Sequence, residues 1–246
     1  SRLRLGFAEK EMQYLARHYF CQNPDLWDCV SLFKRITESR MLITRNSIPF
    51  EGENIHLEHR KEIEQLENSD SRTITIISGA GGVGKSALVK DWFGSCATCA
   101  NCALMMQPND VVECFGEVEM SKAWRATTED FLKMTAGEYG RRVLVVDSVE
   151  KLADGKDLSE LLLVLRGLFV GGWRIVLTTR TMFEKQIVSH FKTFMPEAKL
   201  DVMVVSPVGE DVLTALSRKY GFDLPANVQV RDAIRTSFNL AAYLSC

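Results

Sequence analysis

An α/β protein built on a central parallel β-sheet is predicted from the alternation of two patterns along this chain. From residue 73 onward, short runs of continuous apolar and β-branched residues alternate with amphipathic segments of helical period. Strands that are apolar throughout, rather than at every second residue, indicate a parallel sheet that helices cover on both faces. The segments before residue 73 and after residue 205 carry helical patterns, so helices are expected to flank the sheet.

The composition is that of an ordinary globular protein of 246 residues, with 46% hydrophobic residues, 25% charged residues and a formal net charge of −2. No apolar run approaches the roughly 20 residues of a membrane span, and no signal peptide opens the chain. The balanced charge gives no argument for broad nucleic-acid binding. We therefore expect a cytoplasmic protein with no membrane contact. Because the chain begins at Ser1 and stops within a helical pattern, we also expect it to be a piece of a longer protein.

Residues 1–50 are predicted to form a helical N-terminal segment or linker. Apolar residues recur at spacings of three and four over residues 5–20, which is one stripe of an amphipathic helix. Asn23 and Pro24 then offer an N-cap and a first-turn proline for a second helix that continues to about residue 40.

The α/β domain is predicted over residues 51–205. Gly52 breaks the helical pattern, and a short amphipathic helix is predicted from Ile55 to near Asn68. Strands are predicted at residues 73–78, 102–106, 141–147, 174–179 and 201–205, and helices at 86–93, 121–136 and 157–169. Residues 206–246 are helical in pattern, with Gly221 ending the first helix, and are predicted to begin a helical lid domain.

The most specific motif follows the first predicted strand. Its sequence, GAGGVGKS, is a full P-loop pattern placed between a strand and a helix. Glycines let the backbone amides and the helix N-terminus face phosphate groups. Lys85 is expected to reach the β- and γ-phosphates, and Ser86 to supply a hydroxyl ligand to Mg²⁺. The predicted nucleotide contacts are Gly79, Ala80, Gly81, Gly82, Val83, Gly84, Lys85, Ser86 and Ala87, and the expected cofactors are ATP or ADP with Mg²⁺.

A carboxylate for the metal ends the buried strand VLVVD. Open parallel sheets bind ligands at the carboxyl ends of their strands, so Asp147 is the candidate second protein ligand of Mg²⁺. Many vigorous P-loop ATPases carry Glu immediately after this Asp, whereas Ser148 stands here and the first acid is Glu150. Slow turnover is therefore expected. Glu150 can orient the attacking water or can be a solvent-exposed acid at the head of the next helix, and the sequence leaves both open.

The segment GGWRIVLTTR ends another central strand with two threonines and Arg180. An arginine binds phosphate oxygens through two parallel hydrogen bonds and so distinguishes a triphosphate from a diphosphate. We predict that Arg180 senses the γ-phosphate, with an exposed arginine at a strand end as the alternative.

Cysteines and histidines give weaker patterns. Cys96, Cys99 and Cys102 are spaced by two residues, and Cys114 follows, but neither a complete zinc pattern nor a complete iron–sulfur pattern is present. Reduced thiols are favoured over a metal site. A role is assigned neither to His56 nor to His59. Trp124 and Trp173 are interpreted as core residues.

The P-loop, VLVVD and above all GGWRIVLTTR resemble the STAND class of signal-transduction ATPases, which includes NB-ARC and NACHT proteins. The likeness covers about residues 50–246, and DSVEKL, LTTR, KYGFDLP and SFNLAAYL are most similar to the bacterial antiviral (AVAST-type) group. The resemblance implies that Arg60, upstream of the P-loop, borders the nucleotide. It also places residues 237–241 near the adenine, where this chain keeps Leu240 but lacks the proline of the Gly-Leu-Pro-Leu-type turn.

The resemblance implies an ATP-binding, slowly hydrolysing switch within a larger sensor. In such a protein, nucleotide state controls homo-oligomerisation and an effector, and a protein trigger, for an antiviral member a phage protein, is sensed outside this piece. Two alternatives stay open. One is an ATPase motor of the AAA+ or archaeal type that acts on nucleic acid or protein. The other is a non-hydrolysing scaffold locked by its nucleotide, which Ser148 favours slightly.

Overall fold

The computed structural model describes residues 25–70, 72–96, 100–115, 141–152 and 157–245. The helices predicted at residues 5–20 and 121–136 lie outside these ranges, as does Trp124. The helices are α1 (Asp25–Ile43), α2 (Arg60–Asn68), α3 (Lys85–Cys96), α4 (Pro108–Phe115), α5 (Asp157–Val170), α6 (Thr181–Phe194), α7 (Glu210–Tyr220), α8 (Val228–Ala233) and α9 (Ser237–Leu244), with a 3₁₀ turn at Val149–Leu152. The strands are β1 (Ile48–Phe50), β2 (Glu53–Ile55), β3 (Thr73–Gly79), β4 (Ala100–Met106), β5 (Arg141–Val146), β6 (Arg174–Arg180) and β7 (Lys199–Val205).

Five parallel strands form the central sheet in the order β4-β5-β6-β3-β7. This arrangement confirms the predicted P-loop NTPase fold, and each strand of the sheet falls where the sequence predicts one. The register pairs Gly79 with Arg180 and Ile77 with Thr178, and Val146 with Leu177. The segments that follow β3 and β5 therefore meet the end of β6 at one edge of the sheet, where open parallel sheets bind ligands.

Each face of the sheet is covered by its own apolar cluster. On one face, strand residues such as Ile76 and Leu177 pack with α4, α5 and α6. On the other face, Ile77 and Val176 pack with Leu66 of α2 and Trp92 of α3. The helices α4 and α6 were not placed by the sequence analysis, although the crossovers of a parallel sheet require such connections.

Helix α1 covers the edge strand β4. The Thr37 hydroxyl donates to the carbonyl of Phe33 and accepts the N–H of Met105, so one outward-facing donor of the edge strand is satisfied. Arg40 forms an ion pair with Asp110 at 3.1 Å and extends the contact to α4.

A β-hairpin occupies residues 48–55, where the sequence predicts the end of a helical segment over residues 1–50 and a helix from Ile55; both expectations are wrong at these residues. The strands β1 and β2 are antiparallel, and the turn between them has φ of +48° at Glu51 and +84° at Gly52. Positive φ at both central residues fits the twist of a two-residue hairpin turn. Helix α2 begins only at Arg60. The predicted domain boundary after residue 50 thus falls between the two strands of one hairpin.

The hairpin packs on the C-terminal helices rather than on the sheet. Ile48 and Ile55 share a third apolar cluster with Leu213 of α7 and Leu240 of α9. Gly221 ends α7 with φ of +79°, as the sequence predicts. We call the hairpin together with residues 206–245 the lid unit. None of the described helices is long and apolar enough to cross a membrane.

Candidate nucleotide-binding site

The P-loop joins β3 to α3 and is held by its own lysine. Lys85 Nζ donates to the carbonyl oxygens of Gly79 at 2.8 Å and Ala80 at 2.9 Å. Val83 is buried against the α3 face of the sheet, which anchors the middle of the loop. Gly82 and Gly84 have φ of +73° and +106°, conformations that favour glycine.

The surroundings of Lys85 hold its pKa below its ordinary value. Burial lowers the pKa of Lys85, the Glu150 carboxylate raises it, Arg180 lowers it and Asp147 raises it, in that order of size. The loop lysine therefore lies within the electrostatic reach of the other charged residues that the sequence singles out. A triphosphate placed beside it would supply the negative charge that favours the ammonium form.

Asp147 lies at the centre of a network of hydroxyl groups. The Ser86 hydroxyl donates to Asp147 Oδ1 at 3.0 Å, and the Thr178 hydroxyl donates to the same oxygen at 2.6 Å. Thr178 Oγ1 in turn accepts the N–H of Ser148 at 2.8 Å. The sequence alone assigns no role to Thr178, because its proximity to Asp147 depends on the β5–β6 register.

Ser148 has φ of +62°, in the left-handed region that costs a non-glycine residue about 1–2 kcal/mol. The bond from its N–H to Thr178 holds this conformation. After this turn the chain enters the 3₁₀ segment that carries Glu150. The backbone conformation of Ser148 therefore sets the direction in which the chain leaves the sheet and hence the position of the Glu150 carboxylate.

Glu150 and Arg180 form an ion pair in the lining of the cavity. Arg180 Nε lies 3.5 Å from Glu150 Oε1, and the two side chains are 60% and 10% exposed. The other carboxylate oxygen, Oε2, is buried and finds no hydrogen-bond partner among the described residues. Of the two interpretations left open by the sequence, the solvent-exposed acid does not match this burial.

A single cavity of about 830 Å³ brings these groups together. Of the predicted residues, it is lined by Gly81, Gly82, Gly84, Lys85, Ser86, Ala87, Asp147, Glu150 and Arg180, and the lid unit contributes Ile48, Pro49, Ile55, Ser237, Phe238 and Ala241. Gly79, Ala80 and Val83 do not line it; the first two hold Lys85 through their carbonyls. The volume falls in the range of small-molecule sites.

The lid unit forms direct hydrogen bonds with the P-loop. Gly82 O accepts hydrogen bonds from the Ser237 hydroxyl at 2.9 Å and from the N–H of Phe238 at 3.1 Å. A Cβ on Gly82 would lie only 2.7 Å from the Cβ of Phe238. The contact of the lid unit with the P-loop thus requires glycine at this position for space as well as for φ.

His59, and not Arg60, faces the cavity. The side chain of Arg60 is 80% exposed and pairs with Glu58 at 3.0 Å, whereas His59 lines the cavity and its Nε2 would lie 3.4 Å from a Cβ on Gly84. Burial lowers the pKa of His59, and the carboxylates of Glu62 and Asp91 oppose that shift. Helix α2 starts five residues later than predicted, so its first turn presents Arg60 outward.

The donors at Ser86 and Asp147 fit Mg²⁺. Both are oxygen ligands, they lie 3.0 Å apart, and Mg²⁺ prefers few protein oxygens together with phosphate oxygens and water. Within the described ranges, no cluster of three or more His, Cys, Asp or Glu side chains could hold a metal ion. Cys114 is a buried thiol, while the side chains of Cys96, Cys99 and Cys102 lie outside the described residues.

Solved structures with a similar fold include replication initiators. DnaA from Aquifex aeolicus with bound AMPPCP is 14% identical over 75% of this chain and 57% of that chain, with a TM-score of 0.49. Domain III of DnaA from Thermotoga maritima is 16% identical over 71% and 73%, with a TM-score of 0.45. ORC1 of Aeropyrum pernix in complex with DNA is 16% identical over 76% and 56%, with a TM-score of 0.48.

This chain therefore spans somewhat more than half the length of the Aquifex and Aeropyrum proteins. No protein-family model matches it, and no curated protein sequence matches it. The similarity to the solved structures is one of fold.

Proposed function

We propose that this chain is an ATP-binding and slowly hydrolysing switch domain. The observation that carries the proposal is the convergence of Lys85, Ser86, Asp147, Glu150 and Arg180 on one cavity whose lid is bonded to the P-loop. A pocket with these groups suits a triphosphate and its Mg²⁺. A lid attached to the same loop gives nucleotide occupancy a route to the rest of the molecule.

In this proposal Arg180 reports the γ-phosphate. Its guanidinium pairs with Glu150 at 3.5 Å and is largely exposed, so it can turn to a new partner at little cost. Phosphate oxygens offer a charge-assisted, bidentate partner that a single carboxylate oxygen 3.5 Å away does not. Arg180 would leave Glu150 and bind the γ-phosphate when ATP is bound, and it would pair with Glu150 again when ADP is bound.

Glu150 is the candidate group that orients the attacking water. Its buried Oε2 has no donor among the described residues, and such an acceptor is costly unless water or a ligand supplies a hydrogen bond. Its other oxygen pairs with Arg180 at 3.5 Å, and this pairing competes with the binding of a water molecule. Competition between these two partners, with Ser148 in place of an adjacent Glu, is the physical reason to expect slow turnover.

Nucleotide state acts on the lid only through a difference in binding free energy between the open and closed arrangements. In the closed arrangement Ser237 and Phe238 bind Gly82 O, next to the glycines that receive the phosphates. A nucleotide that shifts the P-loop by a few tenths of an ångström would weaken or strengthen these bonds.

The wider context follows the motifs that resemble STAND proteins. We infer a cytoplasmic sensor in which this domain controls homo-oligomerisation and an effector, in bacterial defence against phage, with a phage protein as trigger. A scaffold that keeps its nucleotide unhydrolysed is the second candidate, and the Glu150–Arg180 pair favours it. A motor would instead show turnover that rises with a nucleic-acid or protein polymer.

The test is to identify the nucleotide that co-purifies with the protein, after denaturation and ion-exchange chromatography, and to time its exchange for a ribose-tagged fluorescent ADP. Bound ADP that exchanges over many minutes supports the switch. An empty site with rapid, polymer-stimulated turnover overturns it in favour of the motor, and retained ATP without turnover favours the scaffold. The control is Lys85→Ala, which is expected to abolish nucleotide binding.

A further inference from the structure

One wall of the cavity has the character of a site for a purine base. The hairpin contributes Ile48, Pro49 and Ile55 to it and α9 contributes Ala241, and the two isoleucines are buried. Flat aromatic ligands bind between apolar surfaces, and a few fixed polar groups at their edges provide specificity. Asn46 lies in this wall and is the polar group whose orientation the structure defines.

The side-chain amide of Asn46 can take only one orientation. Its Nδ2 donates to Asp91 Oδ1 at 2.5 Å, and an ionised carboxylate can only accept hydrogen bonds. The amide therefore cannot exchange its oxygen and nitrogen without facing two acceptors toward each other. Within the described part of the chain, no donor reaches Asn46 Oδ1, so this oxygen retains its capacity to accept.

Asn46 is also fixed in position relative to the P-loop. Asp91 belongs to α3, the helix that begins at Lys85. The neighbouring Lys90 donates through Nζ to the carbonyl of Thr44 at 2.6 Å. Two bonds thus attach residues 44–46 to the helix whose first turn would bind the phosphates, so Asn46 and a triphosphate on the loop would belong to one rigid frame.

Adenine and guanine differ at the position where such an acceptor acts. Adenine carries an amino donor on C6, and guanine carries a carbonyl acceptor at the same position. An oxygen that cannot turn away accepts from the first and repels the second, because two acceptors that face each other form no hydrogen bond. We propose that Asn46, oriented by Asp91, makes this site selective for adenine over guanine nucleotides. The inference rests on the nucleotide binding proposed above.

The test measures the affinity of ATP, GTP and inosine triphosphate by displacement of the ribose-tagged ADP. All three share ribose and triphosphate, so their ratios report only the base. We expect the wild type to prefer ATP over GTP and over the inosine nucleotide by on the order of ten-fold or more. Inosine retains the C6 carbonyl without the amino group on C2, so it isolates the C6 position.

Two variants remove the selectivity in different ways. Asn46→Ala deletes the acceptor, and Asp91→Asn offers a partner that can both donate and accept, which releases the amide to rotate. Both are expected to bring the ATP:GTP ratio toward one while tagged ADP still binds. The matched control is Asn54→Ala in the hairpin, an exposed residue outside the cavity, which is expected to keep the wild-type ratio. Thermal unfolding checks that each variant is folded, and Asp91→Asn serves if Asn46→Ala is not.

A wild-type ratio near one, or a wild-type ratio retained in both variants, overturns the assignment to Asn46 while leaving nucleotide binding intact. Failure of the wild type to bind the tagged ADP at all overturns the proposed function itself. The two failures are therefore distinguishable within one titration.

Discussion

The hydroxyl of Thr178 donates a 2.6 Å hydrogen bond to Asp147, and this bond joins the end of β6 to the end of β5. The same oxygen accepts the N–H of Ser148, so one buried hydroxyl fixes both the carboxylate and the strained residue after it. The adjacent Thr179 is equally buried, yet its hydroxyl has no hydrogen-bond partner among the described residues. Removing the hydroxyl of each threonine in turn is therefore expected to have opposite effects on stability.

Thr178→Val is expected to lower the free energy of unfolding by about 1–3 kcal/mol, because it leaves the partly buried N–H of Ser148 without its acceptor and removes one of the two hydroxyls that donate to Asp147. Turnover of ATP should fall with it, since Asp147 loses its orientation. Thr179→Val removes only an unsatisfied hydroxyl and is expected to be neutral or stabilising. Urea unfolding and steady-state turnover measure both. Equal losses in the two variants would contradict the assigned network.

Arg180→Ala is expected to reduce the preference of the protein for ATP over ADP, because the proposed partner of the γ-phosphate is lost. Affinity for ADP should change little. Displacement titrations with both nucleotides measure the ratio. Arg166→Ala is the control, since Arg166 pairs with Glu197 at the surface, outside the cavity. An unchanged ATP:ADP ratio in Arg180→Ala would remove this residue from the switch.

Gly82→Ala is expected to detach the lid unit from the P-loop. The added Cβ would lie 2.7 Å from the Cβ of Phe238, and the φ of +73° disfavours alanine. Amide hydrogen exchange over residues 236–245 should accelerate. At Gly81 a Cβ would meet nothing within 4 Å, so Gly81→Ala should leave exchange in the lid as in the wild type. A lid that stays equally protected in both variants would show that the contact does not hold it closed.

His59 predicts an acid-sensitive contribution to stability. Burial lowers the pKa of His59 in the folded state below its unfolded value of 6.5. The unfolded chain therefore binds the proton more readily, so stability is present above about pH 6.5 and is lost as the pH falls toward the folded pKa. His59→Gln should flatten the loss of stability measured by urea unfolding between pH 7.5 and 5. His56→Gln, at an exposed position, should retain the wild-type profile, and a wild-type profile in His59→Gln would contradict the assignment.

The parts of this fold that sequence reasoning finds are those fixed by local pattern. Strand β5, with its run of Val143 to Val146, is apolar throughout because both its faces are buried, and the P-loop is specified residue by residue. The hairpin was missed because its strands have three residues each and its turn places the non-glycine Glu51 at positive φ. Such a short alternation gives no period to detect.

The site residues follow the same division. Asp147 and Arg180 are found because strand ends bind ligands, but the link from Thr178 to Asp147 requires the register of two strands. The sequence predicts Arg60 at the cavity, whereas the structure places His59 there. This difference depends on where α2 starts, because a shift of one residue on a helix turns a side chain by about 100°. Helix starts are the least certain part of any pattern, so a residue in a first turn is the hardest to assign.

The shared apolar cluster of hairpin and C-terminal helices has a mechanical consequence. The wall that would hold the base belongs in part to the hairpin, and the hairpin is packed with α7 and α9, whereas Asn46 is attached to α3. A nucleotide in the cavity would bridge two bodies joined by the chain around Ser47, residues 56–59 and residues 206–209. Such a ligand would connect the two parts non-covalently. We therefore expect a relative displacement of the two parts to change the dissociation rate of the nucleotide first.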